Sequence, residues 1–523
     1  MQGRRMSGVV NGAELLVKTA ETRGIEVCFA NAGTTEIPIV LALDAAKGIK
    51  AILGLFEGVC TGAADGYGRM TGKPAMTLLH LGPGFANGIA NLHDARRAAT
   101  PVLNVIGQHA TWHLSADPPL AMDIESLTRT VSGWVRTNGS IETLSRDISE
   151  AINASLFGQI SSLIVPHDIQ LAEAMGASIG SVDFAFDPVD ADVIKKTAQR
   201  LRAARKSALL LDGRALSRPG LQAATRIRGK LKSDLFAPSF FSCAERGLGL
   251  PDIQRIPYFP EEAISLLSNY DIVVIVSAHE PVTFFGYPGI RGHILSDEQE
   301  KLYLCSGREN PVKALETLAD ALDAPARPII RDVVSPRAQL PSGELTAEKA
   351  CLTVAALQPE HAIIVDEGIT SGFTYYPLTA SSPPHSFLTI AGGSIGYGMP
   401  CATGAAIARP DRPVINLQAD GSALYTVQAL WTQAREGLHV ITLICSNRSY
   451  KILQLELSRA GITSYGNNAR ALTELTGPSI DWVSIARGFG VPAASIDTVE
   501  GLARELGIGL AESGPRLIEM VLS

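Results

Sequence analysis

The sequence predicts an α/β protein built from three doubly wound parallel-sheet domains, and three observations support this prediction. Short apolar runs that suit buried strands alternate with segments of helical apolar spacing. The length of 523 residues is enough for about three domains at roughly 150 residues each. A hydrophobic content of 46% with 49 Gly and 30 Pro is typical of a globular α/β protein with a sizeable core. We place the domains at residues 1–186, 187–343 and 344–523.

Charge and cysteine usage exclude several classes of protein. The net charge is −7 and no basic stripe is present, which argues against a nucleic-acid partner or an anionic membrane. No apolar run reaches the roughly 18 residues that a membrane span requires. The seven cysteines form no C-x-x-C pair and lie on apolar segments, which favours reduced, mostly buried thiols and a cytoplasmic location.

Four apolar runs in the first domain predict the strands of a parallel sheet. They are Glu26–Ala30, Ala51–Leu55, Ala75–Leu79 and Val102–Gly107. Helix-forming segments separate them, so the sheet should be doubly wound. The first three runs end in polar turns, and such strand ends are where α/β sheets bind ligands.

Two of these turns carry candidates for acid–base chemistry. Glu57 follows an apolar strand beside Phe56, so its carboxyl group should be poorly hydrated and able to hold a proton. His80 follows the third strand and precedes the loop Gly82-Pro83-Gly84. Considered alone, a helix-capping Glu and a His bonded to the backbone are commoner than catalytic residues, so both alternatives stay open.

The middle segment predicts a second, smaller doubly wound domain. Ser207–Asp212 and Asp271–Ser277 are apolar runs that suit buried strands. No clear adenine-nucleotide fingerprint follows either run, so we favour a structural role over FAD or nucleotide binding.

The third domain begins with a strand that leads into a possible phosphate-binding turn. Ala362–Asp366 is the strand, and Ile369, Thr370 and Ser371 follow it at a predicted helix N-terminus. Backbone amides and hydroxyl groups in such a position bind phosphate oxygens, although an ordinary N-cap has the same appearance.

A βαβ unit near the C-terminus carries a candidate metal site. Its predicted elements are strand Val414–Gln418, helix Leu424–Gly437 and strand Val440–Cys445. Asp420 and Asn447 follow the two strands, and parallel strand ends lie side by side. Their oxygen atoms, with a nearby backbone carbonyl, suit Mg²⁺. The alternative is that Asp420, Gly421 and Ser422 only cap a helix of an ordinary Rossmann-like unit.

These motifs together resemble those of the thiamine diphosphate-dependent decarboxylase and acetohydroxyacid synthase superfamily. The spacing of 27 residues from Asp420 to Asn447 (447 − 420) resembles its GDG…N motif, with Ala419 and Ser446 as departures. Three further motifs that resemble those of the superfamily lie in the first domain. Asn31–Pro38 resembles the N-P-G-S/T turn, Leu55–Arg69 resembles the segment of the invariable glutamate, and Leu79–Gly84 combines a synthase Gly-Pro-Gly with a histidine of benzoylformate decarboxylase.

The resemblance implies thiamine diphosphate and Mg²⁺ as cofactors and assigns roles to specific residues. Glu57 corresponds to the glutamate that contacts the pyrimidine ring, and His80, with Thr34 as its hydroxyl partner, would lie nearest to the substrate. The implied metal ligands are Asp420, Asn447 and Ser449. The implied cofactor-binding residues are Ile369, Thr370, Ser371, Gly393, Ile395, Gly421, Ser422 and Tyr450.

The implied substrate pocket differs from that of benzoylformate decarboxylase. Phe284 stands where that enzyme has a second active-site histidine, and Ile452 replaces a smaller residue. Ile452, together with Gln454 and Glu456, which replace bulkier or aromatic groups, favours a short aliphatic or polar acyl donor over an aryl donor.

The expected activity is that of a lyase or carboligase that decarboxylates a small 2-oxo acid. Because the two ends of the cofactor belong to different subunits in the relatives, we expect a homodimer or homotetramer. An acetolactate synthase-like transferase is the main alternative. A non-catalytic cofactor-binding protein and an NAD-dependent oxidoreductase are alternatives of other classes, and the oxidoreductase lacks its G-x-G-x-x-G signature.

Overall fold

The computed structural model describes residues 9–175, 184–305, 307–327 and 337–523. The chain divides into two compact units. The first comprises Met1–Phe184, Val365–Ser371 and Gly392–Ser523, and the second comprises Ala185–Ile364 and Gly372–Ala391.

The strands are numbered β1 to β20 in chain order. They are Val9–Asn11, Val27–Asn31, Lys50–Leu53, Ala75–Leu79, Val102–Gln108, Trp134–Thr137, Ile160–Pro166, Glu173–Met175, Ser207–Leu211, Asp234–Ala237, Cys243–Arg246, Gln254–Arg255, Ile272–Val276, Glu300–Tyr303, Ile363–Glu367, His385–Thr389, Val414–Ala419, Val440–Ser446, Ala493–Ile496 and Arg516–Val521.

The α-helices are numbered α1 to α20 in the same way. They are Gly12–Thr22, Ile37–Ala45, Glu57–Thr71, Leu81–Arg97, Ile124–Arg129, Ile141–Ser155, His167–Leu171, Ala191–Ala203, Arg218–Leu231, Pro260–Leu267, Pro311–Ala321, Ala347–Leu357, Tyr375–Leu378, Gly398–Ala408, Asp420–Ala423, Ala429–Glu436, Lys451–Arg459, Asn467–Ala471, Trp482–Gly488 and Val499–Ala511. Short 3₁₀ turns lie at Thr34–Glu36, Leu114–Ala116, Gly213–Leu216 and Ile369–Ser371.

The N-terminal sheet of the first unit is fully parallel. Its six strands follow the order β3-β2-β4-β5-β7-β6. Strands β4, β5 and β7 are buried along their whole length, and β-branched and aliphatic residues dominate them, as is typical of a parallel sheet covered on both faces. The strands predicted from the sequence are confirmed, with ends shifted by one or two residues.

The C-terminal sheet of the first unit carries the order β15-β17-β18-β20-β19. Strands β17 and β18 are parallel, with Ala419 opposite Cys445 in the register. The predicted helix Leu424–Gly437 is shorter in the structure, where α16 begins only at Ala429. Residues 420–423, before the predicted helix, form the separate turn α15. Gly437 ends α16 in the left-handed conformation (φ 61°), as a helix-stop glycine does.

The second unit is built on a parallel sheet of its own. Its five strands follow the order β12-β10-β9-β13-β14. Strands β11 and β16 pair antiparallel in the same unit. The three parallel sheets with their helices confirm the predicted fold class, whereas the predicted domain boundaries at residues 186 and 343 stay predictions.

Two further findings concern the burial of the cysteines and the hydropathy of the helices. Five of the seven cysteines are buried, which confirms the predicted placement of most thiols in the core. Among the described residues, none of the helices combines the length and the hydropathy that crossing a bilayer requires.

Candidate active site

Asp420 and Asn447 lie at the carboxyl ends of two neighbouring strands. Asp420 directly follows β17 and Asn447 directly follows β18, and these strands pair in parallel up to Ala419 and Cys445. The predicted juxtaposition of the two residues therefore follows from the observed register.

The carboxylate of Asp420 is buried and oriented by the backbone. Its side chain is only 2% exposed. One oxygen accepts a hydrogen bond from the Gly421 N–H at 2.8 Å and the other accepts from the Arg448 N–H at 2.7 Å. Burial raises the pKa of Asp420 to about 6, and the backbone hydrogen bonds partly oppose that rise.

The turn after β18 orders the amide of Asn447. Its Oδ1 accepts hydrogen bonds from the backbone N–H of Ser449 at 2.9 Å and from the Ser449 hydroxyl at 3.2 Å. Arg448, between them, adopts a left-handed backbone (φ 56°), an uncommon conformation that aims its N–H at Asp420. The turn thus carries two of the predicted metal ligands, Asn447 and Ser449, and its backbone contacts the third, Asp420.

Two small residues, Gly421 and Ser422, follow Asp420 at the place where a phosphate group would approach. A Cβ atom on Gly421 would lie 2.4 Å from the ring of Tyr450, so glycine is required there. Ser422 is buried, and its hydroxyl accepts from Gln418 Nε2 at 3.2 Å. Gly421, Ser422 and Tyr450 are therefore neighbours of Asp420, as predicted.

The predicted phosphate-binding turn Ile369–Ser371 forms a 3₁₀ turn after β15. Ile369 has a left-handed backbone (φ 47°), which is strained for a β-branched residue. Helix α17, which carries the half-buried Ile452, contacts this turn. The turn and helix α17 are therefore close to each other within the first unit.

The Gly-rich loop that contains Gly393 and Ile395 is held by a carboxylate that the sequence did not reveal. Glu367, 1% exposed at the end of β15, accepts hydrogen bonds from the backbone N–H groups of Gly396 at 2.6 Å and Gly398 at 2.5 Å. Its burial raises the pKa of its carboxyl group above the usual value. Gly393 itself adopts a left-handed backbone (φ 74°).

Glu57 is the first residue of α3, and its side chain is 8% exposed. Its Oε2 accepts a hydrogen bond from Asn87 Nδ2 at 3.0 Å. A Cβ atom on Gly84 would lie 3.2 Å from Glu57 Oε1 and 3.3 Å from the Cβ of His80. The structure therefore places the carboxyl group of Glu57 and the Cβ of His80 next to the same glycine.

The hydroxyl group that contacts His80 is that of Thr35, and the catalytic role of Thr34 stays a prediction. His80 Nδ1 lies 3.2 Å from the Thr35 hydroxyl and 2.7 Å from the carboxylate of Glu36, whereas Thr34 is exposed. The 3₁₀ turn rotates successive side chains by about a third of a turn, so consecutive threonines face different directions. Glu36 was missed because a lone Glu in a turn carries no distinctive signal.

Helix α4 connects the Glu57 segment to the Gly-rich loop within the first unit. Asn91 Nδ2 donates to the Gly58 carbonyl at 2.8 Å and to the Gly396 carbonyl at 3.4 Å. The fully buried Asp94 accepts from the backbone N–H groups of Gly392 at 2.9 Å and Ser394 at 3.2 Å. These contacts were not anticipated, since they join segments about 300 residues apart.

Phe284, the other predicted pocket residue, lies in the second unit. It is 43% exposed, and its ring contacts the rings of Phe240, Tyr258 and Phe285 at centroid distances of 5.7, 5.5 and 4.9 Å. Its role at a substrate stays a prediction.

Comparison with known proteins gives the family of this chain. The profile of the thiamine pyrophosphate enzyme N-terminal TPP binding domain matches residues 10–127, and that of the C-terminal TPP binding domain matches residues 369–520. The chain belongs to the thiamine pyrophosphate enzymes. The N-terminal profile lies within the first unit, and the C-terminal profile lies there except for residues 372–391. The first unit contains Glu57, His80, Asp420 and Asn447.

Relatives within the family are similar over nearly their whole length. The chain is 44% identical over 517 residues to IlvX of Mycobacterium tuberculosis, a protein provisionally named as an acetolactate synthase large subunit, covering 98% of this chain and 99% of the relative. It is 28% identical to a benzoylformate decarboxylase of Pseudomonas aeruginosa, covering 95% and 96%. Its fold matches the thiamine diphosphate-dependent 4-hydroxybenzoylformate decarboxylase of Rhodococcus jostii RHA1 with a TM-score of 0.86 at 23% identity, covering 98% and 99%.

The chain is therefore a thiamine diphosphate-dependent enzyme of the acetolactate synthase and benzoylformate decarboxylase type. The residues at the strand ends fit the diphosphate of this cofactor (thiamine pyrophosphate is its other name). Gly421 keeps the space between Asp420 and Tyr450 free of a side chain. One carboxylate, one amide oxygen and backbone carbonyls form an all-oxygen donor set, which suits a cation that takes its remaining ligands from phosphate.

Proposed function

We propose that this enzyme is a thiamine diphosphate- and Mg²⁺-dependent lyase or carboligase that decarboxylates a small 2-oxo acid. The observation that carries the proposal is that the buried Glu57 carboxyl group and the Cβ of His80 lie beside the same residue, Gly84. An acid shielded from water and a histidine that is 23% exposed give the site two proton-transferring groups with different access to solvent.

The roles of the chain's own residues follow from their surroundings. Asp420, Asn447 and the Ser449 carbonyl would hold Mg²⁺, and the turn Ile369–Ser371 with Gly421 and Ser422 would bind the diphosphate. Gly393 and Ile395, in the loop held by Glu367, would position the heterocycles. When bound, thiamine diphosphate supplies a thiazolium ring that accepts the electron pair left by the departure of CO₂.

Glu57 and His80 have separate roles in the proposed reaction. Glu57 would hydrogen-bond a pyrimidine nitrogen, because its buried carboxyl group has few competing water contacts. Asn87 fixes the orientation of that carboxyl group through Oε2. His80 would exchange a proton with the substrate, and Phe284 and Ile452 would border the acyl chain.

A second function has support from one comparison. The 44% identity to a protein provisionally named as an acetolactate synthase large subunit favours an acetolactate synthase-like transferase that joins two 2-oxo acids. The two functions share the decarboxylation and differ in the acceptor, which is a proton in a lyase and a second carbonyl compound in a carboligase.

We further propose that the enzyme is a cytoplasmic homodimer or homotetramer with active sites at subunit interfaces. Exposed apolar side chains on one helix, Ile37, Val40 and Leu41, support a protein contact there. Light scattering coupled to size-exclusion chromatography measures the subunit number, and a monomer at micromolar concentration would contradict this part of the proposal.

The test of function is a substrate screen with thiamine diphosphate and Mg²⁺. We expect CO₂ release from at least one of pyruvate, 2-oxobutyrate, benzoylformate and glyoxylate, and we expect none when either cofactor is withheld. Product analysis then separates the lyase, which yields an aldehyde, from the carboligase, which yields a longer 2-hydroxy-3-oxo acid. Cofactor binding without any CO₂ release across a broad 2-oxo acid panel would overturn the proposal.

A further inference from the structure

The buried carboxylate of Glu36 contacts His80 and two residues beside it, Gly33 and Thr35. Its side chain is completely buried, so it cannot touch a substrate directly. Its Oε2 accepts from the Gly33 N–H at 2.8 Å and lies 2.7 Å from His80 Nδ1. Its Oε1 accepts from the Thr35 hydroxyl at 2.6 Å.

Two glycines make this close packing possible. A Cβ atom on Gly107 would lie 1.6 Å from Glu36 Oε1, and a Cβ atom on Gly33 would lie 2.3 Å from His80 Nδ1. Any side chain at either position would displace the carboxylate or the imidazole ring. The pair is therefore enclosed by backbone on both sides and cannot change its arrangement easily.

The hydrogen-bonding capacities of these groups determine which ring nitrogen carries the proton. An ionised carboxylate only accepts hydrogen bonds, and the single hydroxyl proton of Thr35 is donated to Glu36. Both neighbours of His80 Nδ1 are therefore acceptors, so Nδ1 must be the donor. In a neutral ring the proton then sits on Nδ1, and Nε2 has a free lone pair.

We propose that Glu36 is a positioning residue that holds His80 as the Nδ1–H form and so makes Nε2 the nitrogen that exchanges a proton with the 2-oxo acid. This inference rests on the proposed function for the identity of the substrate. When Nε2 takes up a proton from water, the ring becomes an imidazolium whose charge the Glu36 carboxylate stabilises. Donation of this proton from Nε2 to the substrate, which needs one proton when CO₂ leaves, restores the neutral ring.

The first test is spectroscopic and uses the protein without cofactor or substrate. In protein labelled with ¹⁵N-histidine, long-range ¹H–¹⁵N correlations distinguish the two neutral forms, and the His80 signal is identified by its loss in His80→Asn. We expect the Nδ1–H pattern in the wild type. We expect Glu36→Gln to shift the ring toward the Nε2–H form, because the Gln amide can donate to Nδ1.

Thr35→Val is the matched control, since it removes the hydroxyl contact but keeps the carboxylate. It should retain the Nδ1–H pattern. A wild-type His80 that carries its proton on Nε2 would overturn the inference, and this result does not depend on whether Glu36→Gln folds. An unchanged ring pattern in folded Glu36→Gln would overturn it as well.

The second test is kinetic and uses the 2-oxo acid that the substrate screen identifies. Glu36→Gln should lower kcat about tenfold or more, with KM changed less than kcat, because the substrate is still bound. Thr35→Val should lower kcat by less than about threefold. A wild-type kcat in Glu36→Gln would refute the positioning role while leaving the proposed function intact. The Nδ1–H pattern in a wild type that releases no CO₂ would refute the proposed function instead.

Discussion

The buried carboxylate of Glu367 accepts a hydrogen bond from the backbone N–H of Gly396 at 2.6 Å. The same carboxylate accepts from the Gly398 N–H at 2.5 Å and from Gln418 Nε2 at 2.9 Å. The end of β15 thereby holds the Gly-rich loop at the point where α14 begins. The predicted thiamine-binding loop is thus held by the carboxyl groups of Glu367 and Asp94 as well as by its own sequence.

Glu367→Gln should loosen this loop. A carboxamide offers one acceptor in place of two and turns an NH₂ group toward backbone donors, which leaves a buried N–H group unsatisfied at a cost of about 1–3 kcal/mol. We expect faster hydrogen exchange in residues 392–398 and thiamine diphosphate affinity lowered by roughly tenfold. Exchange mass spectrometry and titration calorimetry measure the two effects.

The control for this variant is Glu360→Gln, the same chemical change at an exposed position. It should leave both quantities unchanged. Wild-type exchange rates at residues 392–398 in Glu367→Gln would show that the carboxylate does not hold the loop.

The buried ion pair of Asp65 and Arg69 should be essential for stability. The two side chains are 0% and 1% exposed, and Arg69 also donates to the Tyr397 hydroxyl at 3.0 Å. Asp65→Ala leaves a buried guanidinium without its counter-ion, so we expect a loss of about 3–5 kcal/mol. Thermal and denaturant unfolding of the apoprotein measure this loss.

Glu125 and Arg129 provide a matched exposed pair at the same spacing, with side chains 43% and 64% exposed. Glu125→Ala should cost less than about 1 kcal/mol. The double variant Asp65→Leu/Arg69→Met should recover much of the lost stability, because it removes both charges together. Equal effects of Asp65→Ala and Glu125→Ala would contradict the importance of burial.

Asp420 should make the stability of the apoprotein depend on pH. Burial raises its pKa from the ordinary value of 3.8 to about 6, so the folded state keeps the proton longer than the unfolded state does. Stability therefore falls as pH rises from about 4 to about 6 and stays constant above that window. A pKa difference of this size corresponds to roughly 3 kcal/mol.

The difference in unfolding midpoint between wild type and Asp420→Asn isolates this effect, since all other groups titrate in both proteins. We expect the wild type to lose stability relative to the variant between pH 4 and pH 6. A difference that does not change with pH would show that Asp420 is well hydrated in the apoprotein.

Asp420→Ala should abolish metal-dependent retention of the cofactor. The variant removes the one carboxylate among the proposed Mg²⁺ ligands, so the diphosphate loses its bridging cation. Calorimetric titration with thiamine diphosphate should show a Mg²⁺-dependent gain in affinity for the wild type and for Asp411→Ala, whose side chain is 62% exposed. The same gain in Asp420→Ala would rule out the metal assignment.

The sequence predicted the architecture because its strands are marked by local patterns. The apolar runs at residues 75–79, 102–107, 414–418 and 440–445 reappear as buried parallel strands. The polar residues that follow them, Asp420 and Asn447, therefore lie where the topology of a parallel sheet requires. Periodicity and strand-end chemistry were sufficient for this part of the site.

The sequence did not predict contacts that depend on long-range packing. Asp94 binds the loop at Gly392 across 298 positions of the chain, and Glu36 reaches His80 across 44. Asp94 lies in no motif singled out from the sequence, and Glu36 lies in the motif Asn31–Pro38, whose spacing does not show that its side chain reaches His80. Whether Thr34 or Thr35 contacts His80 depends on the rotation of a single 3₁₀ turn, and residue spacing alone does not determine that rotation.

The central claim is that the buried carboxyl group of Glu57 acts on the cofactor in the chemical step rather than in binding. The most direct measurement compares Glu57→Gln with the wild type in CO₂ release and in Mg²⁺-dependent thiamine diphosphate affinity. We predict a fall in kcat of about 10²–10⁴-fold with an affinity close to that of the wild type. A variant that releases CO₂ at the wild-type rate would contradict the account.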